Sequence, residues 1–463
     1  MIFRLFVFPF FVLILTTKIF ADNDSCFSIS KIEIEGNKIT HNKIIFRELV
    51  FKVGDTLNFK NYEFLKNKSS ENLMNIAAFN FVSITESIND NKIEVLIKVT
   101  ERWYIWPIPV FDLADRNFNT WWKTKDFNRI NYGVDLAIYN FRGRSETLNL
   151  LFSLGYDEKY GLIYKIPYIT KKQKIGLIIS GNYLRSHEVA MKDSNNKVVF
   201  FSSHNSYPKQ NYNTSIGFSY RNNIHNTHLL QFGIENYLIS DTLLNRNKDY
   251  SVNNQNKLSY FTINYQFKND YRNYKPYPLT GHYFDFEIIK YGLNFSNNNK
   301  NVDFIRFKST YRKYFKLNQN FYFASGITGM INSELPYYIQ SGLGYIRDYV
   351  RGYEHYVISG QGFALIKNNL KYTIIPQRIA KIKYIKTDKF NTVPYAFYLN
   401  LYADAAYVYN KEDDLYNSMV NKSLLGFGFG IDFVTYYDKV FRLEYSINKS
   451  GEKGIFIHFM TSI

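Results

Sequence analysis

The feature that most constrains the fold is a series of segments in which apolar and polar residues alternate, running from about residue 104 to the C-terminus. Asn-, Asp-, Gly- and Lys-rich turns separate sixteen such segments of roughly ten residues each. We predict strands at 105–114, 130–139, 146–156, 160–168, 174–187, 212–221, 227–239, 258–270, 281–292, 303–315, 320–331, 361–374, 395–408, 422–434, 438–447 and 453–462. The chain is therefore expected to be mostly β.

The alternation also predicts which way the side chains point. In the last segment Ile455 and Ile457 share one face, and in the segment before it Leu443 lies opposite Arg442 and Glu444. Apolar residues outside and charged residues inside are typical of a transmembrane barrel, and single-chain bacterial barrels have an even number of strands. A soluble sandwich also alternates, but it would not usually have sixteen strands behind an export signal. We predict a 16-stranded antiparallel transmembrane β-barrel over residues 104–463.

The N-terminus has the features of a secretory signal peptide. Arg4 precedes an apolar stretch at 5–15, and the small residue Ala21 offers a cleavage position. An uncleaved signal anchor is the alternative, but the apolar run is shorter than the roughly 18 to 20 residues that a spanning helix needs. We predict a signal peptide at 1–21 and an exported mature chain.

The charge and cysteine content exclude several classes of protein. The chain has 57 Lys and Arg against 40 Asp and Glu, a formal charge of +17, but these cations are scattered and no nucleic-acid recognition motif accompanies them. We expect no nucleic-acid partner and assign the basicity to acidic lipid head groups, with a Lys- and Asn-rich composition as the alternative. One cysteine excludes a disulfide scaffold and a multi-cysteine zinc site.

A small mixed domain at 27–101 precedes the barrel. Its pattern differs from the rest of the chain, because segments of helical period separate the strand-like segments. In order, we predict a strand at 28–35, a helix with Thr40 as its N-cap, a helix from about 62 to 78, and strands at 81–86 and 93–99.

No motif of covalent chemistry is present. The sequence has no Gly-x-Ser-x-Gly, no His-Glu-x-x-His and no Gly-Lys-Ser/Thr, so we expect neither an enzyme nor a cofactor or metal. Gly426, Gly428 and Gly430 are spaced by two, which places all three on one face of a strand, opposite Leu425 and Phe427. We interpret them as lumen-facing residues that leave room for an inserted loop; a tight bend of the barrel is the alternative.

The segment at 332–360 has no strand pattern and is long enough to be a functional loop. It contains Val350-Arg351-Gly352-Tyr353, and here the chain resembles the BamA/TamA family of outer-membrane assembly factors, whose loop signature these four residues match. Three further stretches are similar to that family: Phe79-Asn80-Phe81-Val82 of a POTRA domain, Asn140-Phe141-Arg142-Gly143-Arg144 of an early hairpin, and 270–281 of a mid-barrel turn.

The resemblance implies that the loop folds back into the lumen, where a carboxylate of the barrel wall holds its arginine. The matching position is Asp404, so the resemblance implies a pair between Arg351 and Asp404. Alternation supports this independently, because Leu399 and Leu401 face one way and Asp404 therefore faces the lumen. The alternative is that Arg351 merely lines a polar lumen.

Two positions depart from the family pattern. Asn369 stands where the family usually has a second acidic residue, and Ala406 stands where it usually has Gly. Both departures bear on how the loop arginine is held.

The first predicted strand contains two prolines at a spacing of two. Pro107 and Pro109 both lack an N–H group, and this spacing places both missing donors on the same strand edge. We hypothesise that this edge forms a seam with the last strand, which carries Ile455 and Ile457, and that the seam is weakened so that it opens sideways. In the alternative, the prolines lie in the linker before the strand begins.

For function, the resemblance implies insertion or translocation of client polypeptides at the bacterial outer membrane, with the POTRA domain in the periplasm. The expected partners are outer-membrane lipids, unfolded outer-membrane clients, and accessory subunits in the periplasm or anchored as lipoproteins. A secretion translocator of the two-partner type is the first alternative, although such proteins normally have two POTRA domains. A passive diffusion porin is the second.

Overall fold

The computed structural model describes residues 26–113, 130–203, 205–293, 302–345, 348–411, 417–435 and 437–458. The predicted signal peptide at 1–21 lies outside these residues. Within the described ranges, no helix has both the length and the apolar character that a membrane span requires.

The N-terminal domain is a four-stranded sheet covered by two helices, with strand order β2-β1-β4-β3. Its elements are β1 (Cys26–Glu35), α1 (Asn42–Glu48), β2 (Thr56–Asn58), α2 (Phe59–Met74), β3 (Phe79–Asn89) and β4 (Lys92–Glu101). Strands β1 and β4 are parallel, and the other pairs are antiparallel. Alternation builds the core, because Ile93 and Ile97 of β4 pack with Ile45 of α1 and Leu73 of α2.

One detail of this domain corrects the sequence prediction. Thr40 is not the N-cap of α1, since His41 occupies that position without a side-chain cap. The Thr40 hydroxyl instead donates to the Glu101 carboxylate at 2.7 Å. The same carboxylate also accepts a hydrogen bond from the Thr40 backbone N–H. The buried carboxylate at the end of β4 thus competes with the helix end for this side chain. The three-residue β2 was not predicted, because it is too short to show a period.

The rest of the chain forms a 16-stranded sheet in which every strand pairs with its neighbours in sequence order. The strands are β5 (Ile105–Leu113), β6 (Ile130–Phe141), β7 (Glu146–Gly155), β8 (Glu158–Ile166), β9 (Ile175–Ser186), β12 (Lys209–Arg221), β13 (Asn226–Ile239), β14 (Lys257–Asp270), β15 (Gly281–Tyr291), β16 (Phe304–Lys316), β17 (Phe321–Asn332), β20 (Gly362–Lys381), β21 (Thr392–Tyr409), β22 (Ser423–Thr435), β23 (Val440–Asn448) and β24 (Lys453–His458). Each overlaps one predicted segment, and the predicted fold class is confirmed.

The two faces of this sheet differ as the alternation predicts. On β22 and β23 the outward side chains are apolar and exposed, for example Phe427 at 49% and Leu443 at 50%. The inward Arg442 and Glu444 are buried, at 5% and 1%. An apolar outer face around a charged interior is the pattern of a barrel that lies in lipid.

The two ends of the barrel also differ. At the end nearest the POTRA-like domain, the connections at 142–145, 222–225 and 317–320 are short turns, whereas at the opposite end the segments at 187–208, 240–256 and 333–361 are longer and have structure of their own. These segments contain β10 (Glu188–Ser194), β11 (Lys197–Ser202), α3 (Asp241–Arg246), β18 (Gly342–Leu343), β19 (Ile358–Ser359) and 3-10 turns at Val252–Asn254 and Tyr337–Ile339. None of them was predicted, because two- to seven-residue elements inside loops carry little periodicity.

Strands β20 and β21 extend past the rim of the barrel. The ladder of β17 with β20 ends at Tyr372, and the ladder of β21 with β22 ends at Tyr395. Residues 373–395, which we call the rim ribbon, pair mainly with each other and include the short helix α4 (Asp388–Asn391).

Candidate functional site

The Val350-Arg351-Gly352-Tyr353 segment lies inside the barrel, against the inner face of its wall. Val350 and Tyr353 are buried in a cluster with Leu365 of β20 and Val408 of β21. Gly352 has φ +92°, a conformation that favours glycine, and its carbonyl accepts a hydrogen bond from the Asn448 amide at 3.0 Å. The loop therefore contacts β20, β21 and the end of β23.

Arg351 is the largest fully buried side chain among the described residues, at 2% exposure. Its Nε donates to Asp404 at 2.8 Å and a terminal nitrogen donates to the other carboxylate oxygen, so the pair is bidentate. The backbone N–H of Arg351 donates to the same carboxylate at 3.1 Å. The Tyr402 ring lies 3.8 Å from the guanidinium carbon. The structure thus places Arg351 and Asp404 together.

Asn369 lies in the same cluster, although it lacks the negative charge of the acidic residue that is usual at this position. Its amide oxygen accepts from the Arg351 Nη1 at 2.7 Å, as a carboxylate would. Glu444 of β23 lies 3.4 Å from that nitrogen and supplies a second negative charge. Ala406 is buried in the apolar cluster that packs on the loop, and its methyl group is accommodated there.

A second buried ion cluster adjoins the first, and sequence reasoning missed it. Arg442 donates to both oxygens of Asp432, at 2.6 and 2.9 Å, and its Nε lies 3.7 Å from Glu444. The Tyr277 hydroxyl donates to Asp432 at 2.7 Å. The available signal was the inward parity of Arg442 and Glu444. The contacts of these two residues could not be predicted from the sequence, because the cluster joins distant segments: Tyr277 lies 155 residues from Asp432.

The three lumen-facing glycines lie where the predicted strand face puts them. A Cβ at Gly426 would meet the Arg351 carbonyl oxygen at 1.8 Å, so this glycine lets the loop backbone approach the wall. At Gly428 it would meet the Tyr445 carbonyl oxygen at 2.0 Å, and at Gly430 the Leu443 carbonyl oxygen at 2.6 Å, both on the β23 backbone. The first position supports room for the loop, and the other two allow a close approach of β22 to β23.

Pro107 and Pro109 lie within β5, not in the linker before it, so the linker alternative is wrong. The Tyr139 N–H donates to the Tyr104 carbonyl at 2.8 Å, which makes these two residues a hydrogen-bonded pair of the β5–β6 ladder. Because such pairs alternate along an antiparallel ladder, the nitrogens of Pro107 and Pro109 point away from β6. Both missing donors are therefore on the free edge of β5.

The other free edge of the sheet belongs to β24. The Asn448 N–H donates to the Glu452 carbonyl at 3.0 Å, so by the same alternation the N–H groups of Ile455 and Ile457 point away from β23. The side chains of Ile455 and Ile457 are 71% and 64% exposed. Strands β5 and β24 are the two ends of the strand order, and the described residues show no ladder between them. We call the boundary between these two edges the seam.

At the end nearest the N-terminal domain, side chains on both sides of the seam contact each other. Arg102, just before β5, donates to both oxygens of Asp438 in the β22–β23 turn, at 2.5 and 3.1 Å. The Trp103 N–H donates to the Tyr437 hydroxyl at 3.1 Å, and the Trp106 and Tyr437 rings are 4.9 Å apart. We call these residues, together with Phe390 of α4 packed on both tryptophans, the basal latch: Arg102, Trp103, Trp106, Phe390, Tyr437 and Asp438.

The N-terminal domain is docked on the barrel by an ion pair. Glu48 of α1 accepts from both terminal nitrogens of Arg221, at 2.7 Å each, at the end of β12. Burial by itself would raise the pKa of Glu48, but the guanidinium groups of Arg221 and Arg47 outweigh it and hold the pKa below its usual range. The carboxylate is therefore charged in the docked state.

A second docking contact involves the β6–β7 turn. The His41 N–H donates to the Gly143 carbonyl at 2.9 Å, and the Asn140 amide donates to the Thr40 hydroxyl at 2.8 Å. Gly143 has φ +69°, and a Cβ there would lie 2.1 Å from the Ile39 carbonyl oxygen. The close approach of the two domains thus requires glycine at this position.

No arrangement for a metal was found in the part of the chain that the structure describes: it contains no group of three or more His, Cys, Asp or Glu side chains placed to bind an ion.

The comparisons with known proteins agree with this architecture. The family described as "POTRA: Surface antigen variable number repeat" matches residues 27–102. BamA from Haemophilus ducreyi lacking POTRA domains 1–3 aligns with 94% of this chain and 83% of that one, at 14% identity and a TM-score of 0.51. CdiB from Escherichia coli aligns with 94% of this chain and 75% of that one, at 12% identity and a TM-score of 0.53. No curated protein matches.

The chain is thus a POTRA domain followed by a 16-stranded barrel, the fold that it shares with BamA and CdiB. At 12–14% identity the likeness to these two structures concerns the fold.

Proposed function

We propose that this protein receives client polypeptides at the periplasmic face of the outer membrane and inserts them into, or passes them across, that membrane without covalent chemistry. The observation that carries this proposal is the seam, whose β5 edge lacks two N–H donors that a closed barrel would use. A free strand edge binds an incoming strand through main-chain hydrogen bonds, so it accepts clients of many sequences.

The apolar outer face of the barrel supports its placement in a membrane, and the predicted signal peptide supports export. The three longest connections that the structure describes in full, at 187–208 (except residue 204), 240–256 and 333–361 (except 346–347), lie at the end away from the POTRA domain, which matches the usual orientation with the longer loops outside. We therefore assign the POTRA domain to the periplasm. The loop that carries Arg351 then enters the lumen from the outer surface. The partners are membrane lipids and unfolded clients.

In this proposal the Arg351 cluster holds the wall next to the seam. Asp404 and Asn369 belong to β21 and β20, and Glu444 belongs to β23, the neighbour of β24. The loop thus joins three strands on one side of the seam to a common cation. Opening then occurs by movement of β5 and β6, while β20–β24 stay together.

Secretion of a polypeptide through the lumen is the second candidate function. It is favoured by the loop itself, because a segment that fills the lumen through polar contacts is one that a translocating chain would have to displace. In that case release of Arg351 would open a path, whereas in an insertase it would weaken the wall. A passive porin is disfavoured by the buried loop.

An assembly assay tests the proposal. Purified protein in liposomes is mixed with an unfolded outer-membrane barrel, and folding of that client is followed by gel shift for wild type, Arg351→Ala and the control Arg246→Ala. Arg246 is exposed on α3 and is not one of the residues of the Arg351 cluster. We expect wild type and Arg246→Ala to accelerate folding and Arg351→Ala to lose the acceleration.

The opposite results are also informative. If wild type does not accelerate client folding, insertion is overturned. If Arg351→Ala then passes a secreted polypeptide or ions faster than wild type, translocation is the function. A steady size-selective conductance in both proteins would indicate a porin.

A further inference from the structure

The rim ribbon leaves the barrel at its aromatic girdle. The outward rings of Tyr372 and Phe321, 38% and 37% exposed, contact each other at 4.9 Å between centroids at the last rung of the β17–β20 ladder. Outward Phe315 lies on the neighbouring β16 and is 41% exposed. Aromatic girdles mark the two boundaries between lipid and water in such barrels. The ribbon therefore begins at the level of the lipid head groups.

The end of the ribbon remains close to the rim. Phe390 of α4 packs on Trp106, which is a residue of β5, and on Tyr437 in the β22–β23 turn. The Lys389 carbonyl accepts from the Tyr437 hydroxyl at 3.1 Å and from the POTRA residue Asn80 at 3.3 Å. These contacts hold the end of the ribbon against β5, the β22–β23 turn and the POTRA domain.

The base of the ribbon adjoins a cavity, and the rest of the ribbon is exposed. Gln377, Pro394 and Tyr395 line this cavity of about 290 Å³ together with POTRA residues such as Met74. Residues 378–384 are all exposed, with Tyr384 at 97%, so both faces of this segment are accessible. A fixed position with a freely accessible segment is what a docking surface needs.

The exposed segment of the ribbon combines cations with apolar residues. Its basic side chains are Arg378, Lys381, Lys383 and Lys386, and its large apolar ones are Ile374, Ile379, Ile382 and Tyr384. Asp388 is the only acidic residue between positions 373 and 395. Lysines beside a membrane-spanning segment attract anionic lipids, and interfacial segments place Ile and Tyr beneath the head groups.

We propose that the exposed segment of the rim ribbon binds the anionic phospholipid head groups of the periplasmic leaflet. This inference rests on the membrane placement proposed above. A soluble acidic client would also be attracted by the cations, but it would not explain why the ribbon starts at the aromatic girdle and stays at the rim. Because Phe390 belongs to the basal latch, bound lipid would lie directly beside the seam.

Fluorescence quenching by lipid tests this inference on the full chain. In a Cys26→Ser background, Tyr384→Cys is labelled with an environment-sensitive fluorophore, and the protein is reconstituted into phosphatidylcholine vesicles with or without about 30 mol% phosphatidylglycerol. A head-group nitroxide lipid is the quencher. Phe315→Cys at the girdle is the positive control, and Phe64→Cys, 62% exposed on α2 of the POTRA domain, is the negative control.

We expect quenching at position 384 to approach that at 315 and to exceed that at 64 by roughly twofold or more, with an increase when phosphatidylglycerol is present. Exchange of Lys381, Lys383 and Lys386 for Gln removes the increase. The same exchange at Lys171, Lys172 and Lys174, three exposed lysines in the β8–β9 turn at the same end of the barrel, leaves it unchanged.

The controls separate the two levels of the argument. Quenching at 315 but only background quenching at 384 overturns the lipid-binding ribbon and leaves the barrel placement intact. Background quenching at 315 overturns the membrane placement itself. If quenching at position 384 is the same with and without phosphatidylglycerol, and with and without the ribbon lysines, recognition of anionic head groups is overturned.

Discussion

The two walls that meet at the seam are held in different ways. On the β24 side, the loop arginine and two buried ion pairs join β20, β21, β22 and β23 through contacts in the interior. On the β5 side, the strand pairs with β6, and among the described residues the basal latch connects it to the other wall at the POTRA end. We therefore expect separation of β5 from β24 to need less free energy than separation of β20–β23 from one another, because it breaks the basal latch and not the buried ion pairs of the interior.

Removing the loop arginine breaks the stronger side, so it has the largest expected effect. Arg351→Met leaves the buried Asp404 without its cation and removes one of the two arginines beside Glu444, which costs on the order of 3–5 kcal/mol of stability. Thermal unfolding of the barrel, followed by loss of its compact migration on gels, measures this cost, with Arg246→Met as the control.

A double variant sharpens that result. When Asp404→Asn accompanies Arg351→Met, the uncompensated charge is reduced. The double variant should therefore lose less stability than the sum of the losses in the two single variants. Strict additivity would mean that the two side chains act independently, contrary to the geometry.

Restoring the missing donors strengthens the weaker side. Pro107→Ala combined with Pro109→Ala adds two N–H groups on the seam edge of β5, each able to contribute about 0.5–1.5 kcal/mol as a hydrogen bond. We expect slower client assembly and slower amide exchange in β24. The control Pro376→Ala, an exposed proline of the rim ribbon, corrects for the greater flexibility of the unfolded chain. An effect no larger than that of the control would remove the prolines from the seam argument.

Releasing the latch shifts the comparison in the other direction. Arg102→Gln removes the charged pair with Asp438, which is worth roughly 1–3 kcal/mol for a largely buried arginine. Amide exchange over residues 105–110 should become faster while exchange in β21 and β22 stays unchanged. Lys98→Gln, exposed on β4, is the control. Equal acceleration in β5, β21 and β22 would show that the latch stabilises the whole barrel and not the seam.

The smallest expected effect concerns docking of the POTRA domain. Because docking lowers the pKa of Glu48, its contribution is fully present above the undocked pKa of about 4 and is lost as the pH falls through the docked value. Protease accessibility of the domain linker around residue 103 should therefore increase below about pH 4. In Glu48→Gln the linker should already be more accessible at neutral pH, with little further change on acidification. A wild-type profile that is flat in this range would contradict the sign.

The barrel itself was largely predictable, for a simple reason. Strands that are wet on one face and in lipid on the other need a period of two, so all sixteen left a pattern in the sequence. The lumen-facing parity of Asp404 came from the same pattern. The identification of Arg351 as its partner required the motif resemblance, since periodicity gives the face of a residue and not its contacts.

What could not be predicted depends on distance along the chain. Arg102 and Asp438 of the basal latch are 336 residues apart, and neither lies in a motif. The ion cluster of Arg442, Asp432 and Tyr277 requires the sheet to curve, because the β14–β15 turn that carries Tyr277 then reaches β22 and β23. The rim ribbon was hidden for another reason: its bulges at 373–378 interrupt the alternation, so the predicted strand ended at 374.

Covalent closure of the seam is the most direct test of the account. One cysteine is placed within 105–110 and one within 454–459, in a Cys26→Ser background, and client folding is measured before and after reduction of the disulfide. The account predicts that the oxidised protein does not accelerate client folding and that reduction restores the acceleration. Equal acceleration in the oxidised and reduced protein would contradict it, because clients would then be assembled without the seam.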